Sequence, residues 1–206
     1  MAEHIKAWRN EYKRSTWKGY YSLDILEPYY KKGRLLDAGC GSGKYAIPLC
    51  MRGFDVVAVD ISSGAIGLSM DICEQRGLVI DFLAANVFEL PFYDSSFDVV
   101  WCYGVVQHLL LKEREAAISE FGRILKNGGI LFIEVFGEED MRYGGNIVEP
   151  GTFKRKNGII YHYFNRTELT DLLKSFTCDI FESKKQKRFE GKYYMRHMIT
   201  AAARKS

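Results

Sequence analysis

The sequence predicts an α/β protein in which helices cover both faces of a parallel sheet. Short apolar runs that suit buried strands alternate with segments of helical spacing from residue 34 to residue 136. A glycine-rich turn joins the first of these runs to its helix. The predicted strands end in polar residues, namely Asp37, Asp60, Asn86 and Tyr103. This alternation is typical of right-handed β–α–β units, whose ligands bind beyond the carboxyl ends of the strands.

Two helical segments precede the first strand. The spacing of apolar residues predicts an amphipathic helix over residues 3–19 and a second, short helix over residues 20–30. Aromatic residues are dense here, and we expect most of them to cover one face of the core. Trp17, Tyr20 and Tyr21 support the alternative hypothesis of a lid over a bound ligand.

The first strand, over residues 34–37, leads into a turn that contains Gly39, Gly41 and Gly43. Glycine permits backbone conformations closed to other residues, so a ligand can lie against the main chain. The helix that follows directs its free N–H groups at that ligand. Lys44 stands where a dinucleotide-binding turn has its third glycine. The turn therefore favours a nucleoside without a pyrophosphate over a nicotinamide cofactor, and an ordinary tight turn is the structural alternative.

The second strand, Asp55–Asp60, ends in a carboxylate about 20 residues after the glycine turn. An acidic side chain at this position can hold both hydroxyls of a ribose. The alternative role for Asp60 is to cap the next helix, but Ser62 and Ser63 are available for that role. We therefore expect Asp60 to bind a ribose.

The later elements are predicted from the same periodicities. They are a helix over residues 63–77, strands over 79–85 and 97–102, a helix that stops at the glycines of residues 127–129, and a strand over 130–136. Residues 137–163 predict a long irregular insertion. A capping box at residues 165–168 predicts a further helix, and residues 177–183 and 193–203 predict two more strands.

Composition restricts the class of protein. The 206 residues are 47% hydrophobic and 27% charged, which fits one soluble domain with a substantial core. No apolar run approaches membrane-spanning length and the N-terminus lacks a signal-peptide core, so we expect a cytoplasmic protein without a membrane partner. Five scattered cysteines without a Cys-x-x-Cys pair or a histidine cluster predict free buried thiols and no metal site.

The net charge of +3 conceals an asymmetry along the chain. Residues 142–206 carry 14 Lys and Arg against 6 Asp and Glu, whereas residues 1–141 carry 15 against 20. A solvated surface explains such an excess in many proteins. The alternative is that the basic part attracts an anionic acceptor, either a small molecule or a nucleic acid.

Together these residues resemble the class I S-adenosylmethionine-dependent methyltransferases. The resemblance is carried by the glycine turn, by the acid that ends the second strand, and by short sequence motifs at residues 90–92, 96–98 and 125–129. It covers residues 34–136 and, more loosely, the remainder. It implies a Rossmann-like fold with seven strands, in which an antiparallel last strand lies between the fifth and the sixth.

The resemblance also implies a cofactor and a set of residues that hold it. The cofactor is S-adenosyl-L-methionine, which leaves as S-adenosyl-L-homocysteine. The expected cofactor-binding residues are Asp37, Gly39, Gly41, Gly43, Asp60, Ile61, Asn86, Val87 and Tyr103, with Trp17 and Tyr21 from the lid. Asn86 stands where the family often has an acidic residue, and its amide carbonyl can accept the same hydrogen bond.

We expect one domain over residues 1–206. Its parts are a helical lid over 1–33, a cofactor-binding core over 34–136, an insertion over the acceptor site at 137–164, and a last helix and strands over 165–206. The end of the chain resembles tellurite-resistance-type and thiol-methylating enzymes. Residues 43–45 and 73–77 look like wobble-uridine tRNA methyltransferases.

Three functions follow as hypotheses. The first is an enzyme that methylates a small molecule, with an anionic acceptor as one alternative, in a pocket of about 300–1,000 Å3. The second is a tRNA-modifying methyltransferase with a continuous basic face. The third is a non-catalytic nucleoside-binding module.

Few residues are candidates for contact with the acceptor. His108 could orient or deprotonate it, or could be a histidine bonded within a helix start. Tyr103 could line the methionine pocket, or form the edge of the core. The insertion offers aromatic and histidine candidates for a roof (Tyr143, His162 and Tyr163) and cationic candidates for an anionic acceptor (Arg142, Lys154, Arg155 and Lys156).

Overall fold

The computed structural model, which describes residues 2–11 and 22–206, has a seven-stranded sheet as its central layer. The strands of this sheet are β1 (Arg34–Ala38), β2 (Asp55–Asp60), β3 (Asp81–Ala84), β4 (Phe97–Tyr103), β5 (Leu125–Phe136), β9 (Phe176–Phe189) and β10 (Lys192–Lys205). Their spatial order is β3-β2-β1-β4-β5-β10-β9. The first five run parallel, and β10 is antiparallel to both of its neighbours. The predicted fold class and the position of the last strand are confirmed.

Helices pack on both faces of the sheet. They are α1 (Glu3–Glu11), α2 (Ala46–Met51), α3 (Ser63–Arg76), α4 (Leu111–Ile124) and α5 (Arg166–Leu172), with single 3-10 turns at Asp24–Leu26 and Val106–His108. Alternate residues of β4 show the two layers. Val100 and Cys102 face the α4 and α5 side, whereas Val99 and Trp101 face the α2 side. All four are fully buried, so β4 lies at the centre of the core.

Three helix boundaries follow their local signals. The side chain of Ser62 accepts a hydrogen bond from the Ala65 N–H, and Gly77 ends α3 in the left-handed conformation with φ of 63°. The side chain of Asn165 accepts from the Glu168 N–H and caps α5. Capping residues therefore predicted both starts and one end correctly.

The predicted end of the next helix is wrong. Helix α4 stops at Ile124, and the chain passes directly into β5 at Leu125. Gly128, with φ of 75°, lies inside that strand segment beside a bulge in the β4–β5 pairing. Its positive φ changes the direction of the chain before Ile130 pairs with Val99. The glycines therefore mark a bulge and not a helix end. In the described part of the second predicted N-terminal helix, residues 22–30, the helical structure is the single turn at Asp24–Leu26.

The insertion is more regular than the sequence predicts. It forms a separate antiparallel sheet of β6 (Asn146–Glu149), β7 (Thr152–Lys154) and β8 (Ile160–His162). Its strands have three or four residues each, too short for alternation to be read from the sequence.

The last two strands are longer than predicted. Strands β9 and β10 pair over their whole length, but β10 pairs with β5 only from Met198 to Arg204. Residues 184–189 and 192–197 therefore form a hairpin that extends past the end of β5, and we call it the extended hairpin. These residues are basic and lack the apolar character by which strands are predicted from sequence, so the predicted strands ended too early.

Candidate functional site

A cavity of about 670 Å3 opens at the carboxyl ends of the parallel strands, and we call it the cleft. One half, the glycine-loop end, is lined by Gly39, Cys40, Asp60, Ile61, Asn86, Val87 and Tyr103. The other half, the hairpin end, is lined by Phe136, Arg142, Tyr161, Lys185, Lys187 and Arg196. Ile5 and Trp8 of α1 also line the cleft, so the N-terminal helix contributes to its wall.

The turn after β1 is folded back onto β2. The N–H groups of Gly39 and Cys40 both donate to the Val59 carbonyl, at 2.8 and 2.9 Å. Gly39 has φ of 82°, and a Cβ atom there would collide with the Cγ2 of Val105. Glycine is therefore required at this position for two independent reasons, backbone conformation and space.

Asp60 is buried at the wall of the cleft and is held by main-chain donors. Its Oδ2 accepts from the Gly41 N–H and its Oδ1 from the Ser62 N–H, both at 2.8 Å. Burial raises the pKa of the carboxyl group, and these N–H groups oppose that rise. Because Ser62 itself caps α3, the capping role does not fall to Asp60. Each carboxylate oxygen keeps a second lone pair for a ligand hydroxyl.

Asp37 lies beneath the glycine turn and not on the wall of the cleft. Its side chain is buried, and no described group hydrogen-bonds its Oδ2. Burial raises the pKa of this carboxyl group to about 7, with a smaller rise from Asp60 and opposition from the Ala46 N–H and Lys44. An unpartnered carboxylate oxygen at this place is costly, which is typical of a ligand-binding group.

The remaining predicted residues at this end lie together on the wall. Asn86 and Val87 follow β3, Ile61 follows β2, and Tyr103 ends β4. Tyr103 stacks on Trp101 with ring centroids 4.1 Å apart. Burial raises the pKa of its phenol, so the group stays protonated and is able to donate a hydrogen bond to a ligand.

His108 lies between the two ends. Its Nδ1 is 2.8 Å from the carbonyl oxygen of Ile160, and its Nε2 is 3.4 Å from the amide nitrogen of Gln107. This pattern fits a neutral ring in which Nδ1–H donates and Nε2 accepts. Burial lowers the pKa of His108 to about 4, against a smaller opposing effect of the Ile160 carbonyl. The side chain is therefore a hydrogen-bonding group near neutral pH and a weak base.

Several predicted residues do not line the cleft in the part of the chain that the structure describes. Gly41 and Gly43 lie in the turn behind the wall, where a Cβ at Gly43 would be 2.8 Å from Ile47 Cδ1. Trp17, Tyr20 and Tyr21 lie outside the described residues.

The insertion contributes fewer residues than the sequence suggested. Arg142 reaches the cleft, and Tyr161 does so in place of the neighbouring candidates. The candidates away from the cleft are Tyr143, Lys154, Arg155, Lys156, His162 and Tyr163. The His162 ring instead makes two hydrogen bonds, from Nδ1 to the Thr152 hydroxyl at 2.8 Å and from Nε2 to the Glu168 carboxylate at 2.7 Å. The second bond fixes the insertion to α5.

Sequence reasoning missed five charged residues of the cleft. The first, Lys44, was considered only as the position of an absent third glycine. Glu134 interrupts the apolar run of β5 and is paired in register with Tyr103. That single carboxylate in a buried strand was a signal that could have found it. Lys185, Lys187 and Arg196 lie on the extended hairpin, where only the strand length, unknown from the sequence, brings them to the cleft.

Two features are absent from the described residues. Their His, Cys, Asp and Glu side chains do not gather into a group that could hold a metal ion. None of their helices has the length and apolar character needed to cross a bilayer.

The sequence matches a known family over the part that builds the glycine-loop end. Residues 36–133 match the family described as a methyltransferase domain. A SAM-dependent methyltransferase from Methanosarcina mazei has the same fold, with a TM-score of 0.74 and 27% identity. That likeness covers 89% of this chain and 98% of the other.

Relatives of known name differ in what they act on. A ubiquinone biosynthesis O-methyltransferase of Rickettsia prowazekii is 37% identical over 126 residues, 60% of this chain and 49% of the relative. A tRNA N(3)-cytidine methyltransferase of Danio rerio is 27% identical over 170 residues, 76% of this chain and 48% of the relative. The chain spans about half the length of the curated relatives it matches. Residues 36–133 thus belong to a methyltransferase-domain family, and the chain shares its fold with a SAM-dependent methyltransferase.

Proposed function

We propose that this protein is a class I methyltransferase that transfers a methyl group from S-adenosylmethionine to a small-molecule acceptor. The observation that carries the proposal is the cleft, because one continuous cavity joins the glycine-loop end to the hairpin end. Its volume of about 670 Å3 falls in the range of small-ligand sites. Walls from α1, the insertion and the extended hairpin favour an acceptor that is enclosed.

The residues at the glycine-loop end fit the cofactor. Asp60 offers lone pairs to ribose hydroxyls, and Asp37 holds an unpartnered carboxylate oxygen beneath the turn. Gly39 presents bare main chain to the cleft, and Val105 occupies the place that its Cβ atom would take. When bound, the cofactor supplies a methyl group that its sulfonium already makes electrophilic.

The protein's own task is then to bind, to align and to exclude water. Trp8 and Tyr161 contact the His108 ring edge-on, each with ring centroids 4.7 Å apart, and build an aromatic boundary between the two ends. We assign His108 to positioning because its lowered pKa makes it a poor proton acceptor. For an acceptor that arrives protonated, Glu134 is the stronger base, since burial raises the pKa of its carboxyl group.

Two measurements test the proposed function. Calorimetry on the full chain should show binding of S-adenosylhomocysteine and no binding of NAD, and the reverse result would contradict it. Tritiated methyl transfer into a cell extract should then label the small-molecule fraction. Label confined to the RNA or protein fraction would contradict the small-molecule acceptor, and binding without any transfer would indicate a non-catalytic module.

A tRNA acceptor is the second candidate. The exposed side chains of Lys184 and Arg188 extend the basic character of the hairpin outside the cleft, which suits a phosphate backbone. The tRNA-modifying relative named above is consistent with it. This candidate expects transfer into tRNA and binding that weakens steeply as salt is raised.

A further inference from the structure

Asp140 joins two arginines at the hairpin end of the cleft. Its side chain is fully buried, and its two oxygens accept from Nε of Arg142 at 3.3 Å and from Nε of Arg196 at 2.7 Å. The main-chain N–H groups of Arg142 and His197 also donate to it, at 3.1 and 3.2 Å. One carboxylate thus fixes residues of the insertion and of β10 against each other.

The two guanidinium groups use their Nε atoms for this contact and leave their terminal nitrogens to other partners. In the described part of the chain, the terminal nitrogens of Arg142 have no recorded hydrogen-bond partner, and Arg196 has only the Sδ of Met198 at 3.8 Å. Both arginines line the cleft. The Cζ of Arg142 lies 4.3 Å from the ring centroid of Phe136 and that of Arg196 lies 5.3 Å from it, which holds both planes beside an aromatic wall.

The charges around this pair do not balance. Lys185 and Lys187 line the cleft from alternate positions of β9, on the same face as Arg196, which is paired with Lys185. These four cations face two carboxylates, Asp140 and Glu134. The hairpin end therefore carries an excess of positive charge. The Lys185 and Lys187 side chains are exposed, whereas the two arginines are partly buried, where electrostatic attraction is stronger than in water.

We propose that Arg142 and Arg196, held in place by Asp140, bind a carboxylate or phosphate group on the methyl acceptor. Paired guanidinium donors match the planar or tetrahedral oxygens of such anions. Phe136 and Tyr161 offer ring faces and edges beside them, which favours an aromatic or otherwise planar acceptor. Asp140 acts through the arginines as a positioning residue. This inference rests on the proposed function and specifies its substrate class.

The recessed position of the pair favours a small anion over an RNA backbone. The Arg142 and Arg196 side chains are 29% and 23% exposed, and the carboxylate that joins them is inaccessible. A phosphodiester chain needs cations that reach outward, as Lys184 does on the opposite face of the hairpin.

Binding of simple probes tests the site without knowledge of the acceptor. Benzoate, phenyl phosphate and the neutral benzamide are titrated into the full chain by calorimetry, with and without saturating S-adenosylhomocysteine. We expect one or both anions to bind at least about tenfold more tightly than benzamide, and the two anion arms distinguish a carboxylate from a phosphate. Arg196→Gln should remove that preference.

Matched variants separate positioning from general charge. Lys184→Gln removes a cation of the same hairpin that pairs with Glu139 outside the cleft, and it should leave the preference within about twofold of the unmodified chain. Asp140→Asn keeps the size of the side chain but loses its charge, and it should reduce the ratio of benzoate to benzamide affinity. If Asp140→Asn unfolds the chain, Arg196→Gln alone decides.

The outcomes distinguish this inference from the proposed function. Equal affinity for benzoate, phenyl phosphate and benzamide, in a chain that binds S-adenosylhomocysteine, would overturn the anion site and leave the methyltransferase proposal intact. An equal loss of preference in Lys184→Gln and Arg196→Gln would also overturn it. Displacement of the anions by tRNA would replace the small acceptor with RNA. A chain that binds the anions but not S-adenosylhomocysteine would contradict the proposed function and keep the site.

Discussion

The two ends of the cleft are built in different ways. The glycine-loop end lies on the tips of consecutive parallel strands, and each of its polar residues follows a strand directly. The hairpin end combines the insertion with β9 and β10, which are far apart in the sequence from the turn after β1. The first end carries buried carboxylates, and the second carries four cations. The difference suggests that cofactor binding and acceptor choice can change independently.

The largest expected effect tests the buried carboxylate beneath the turn. Asp37 has a pKa of about 7 in the folded protein against 3.8 in the unfolded chain, so its protonation stabilises the fold at low pH. That contribution is lost as the pH rises from about 4 through 7, and it amounts to about 4 kcal/mol at most. The free energy of unfolding of Asp37→Asn, relative to that of the unmodified protein, should therefore increase between about pH 4 and pH 7. Above pH 7 the difference should stay constant.

Urea denaturation at several pH values measures that difference. A difference that stays constant between pH 4 and pH 8 would show that Asp37 is ionised at low pH, and the glycine-loop end would then lack its protonated carboxyl group.

The second prediction concerns binding at the same end. Asp60→Ala should weaken binding of S-adenosylhomocysteine by about 3 kcal/mol, roughly a hundredfold, because charge-assisted hydrogen bonds to the ribose are lost. Asp55→Ala is the matched control, since Asp55 is an exposed carboxylate at the opposite end of the same strand. Calorimetry with both variants separates the two, and similar affinities would remove Asp60 from the site. The benzoate preference of the hairpin end should survive in Asp60→Ala.

A third test separates space from backbone strain in the turn. Gly39 and Gly53 have similar positive φ values of 82° and 89°, but a Cβ atom would collide with Val105 at the first and meet nothing at the second. Both alanine variants suffer the cost of a left-handed alanine. Gly39→Ala should lose about 2 kcal/mol more stability than Gly53→Ala, and it should also lose cofactor affinity. Equal losses in thermal and urea denaturation would show that Val105 can move aside.

The smallest effect on the cofactor is expected at the boundary between the two ends. His108→Gln should change the affinity for S-adenosylhomocysteine by less than about 0.5 kcal/mol, while turnover falls because the acceptor is less well aligned. With a pKa of about 4, His108 should cause no loss of turnover between pH 8 and pH 5 in the unmodified enzyme. An acid limb near pH 6.5 that disappears in His108→Gln would instead assign it a role as a base.

The sequence identified most of the glycine-loop end because its signals are local. Each signal depends on residues that are close to it in the sequence. The signals are the strand that ends in Asp60, the glycines before α2 and the cap at Ser62. Their geometry follows from strand pairing that any parallel sheet imposes. The assignment of the whole chain to one domain stays a prediction, as do the roles of individual site residues.

The sequence by itself thus determined the alternation of strands and helices in the parallel half and the edge at which the cleft opens. It could not determine the hairpin end, since register and strand length there depend on contacts between residues distant in the chain. Asp140, Arg142 and Arg196 meet only because β10 pairs with both β5 and β9. A charged residue carries no periodic signal, and only its tertiary neighbours decide whether it faces water or a ligand.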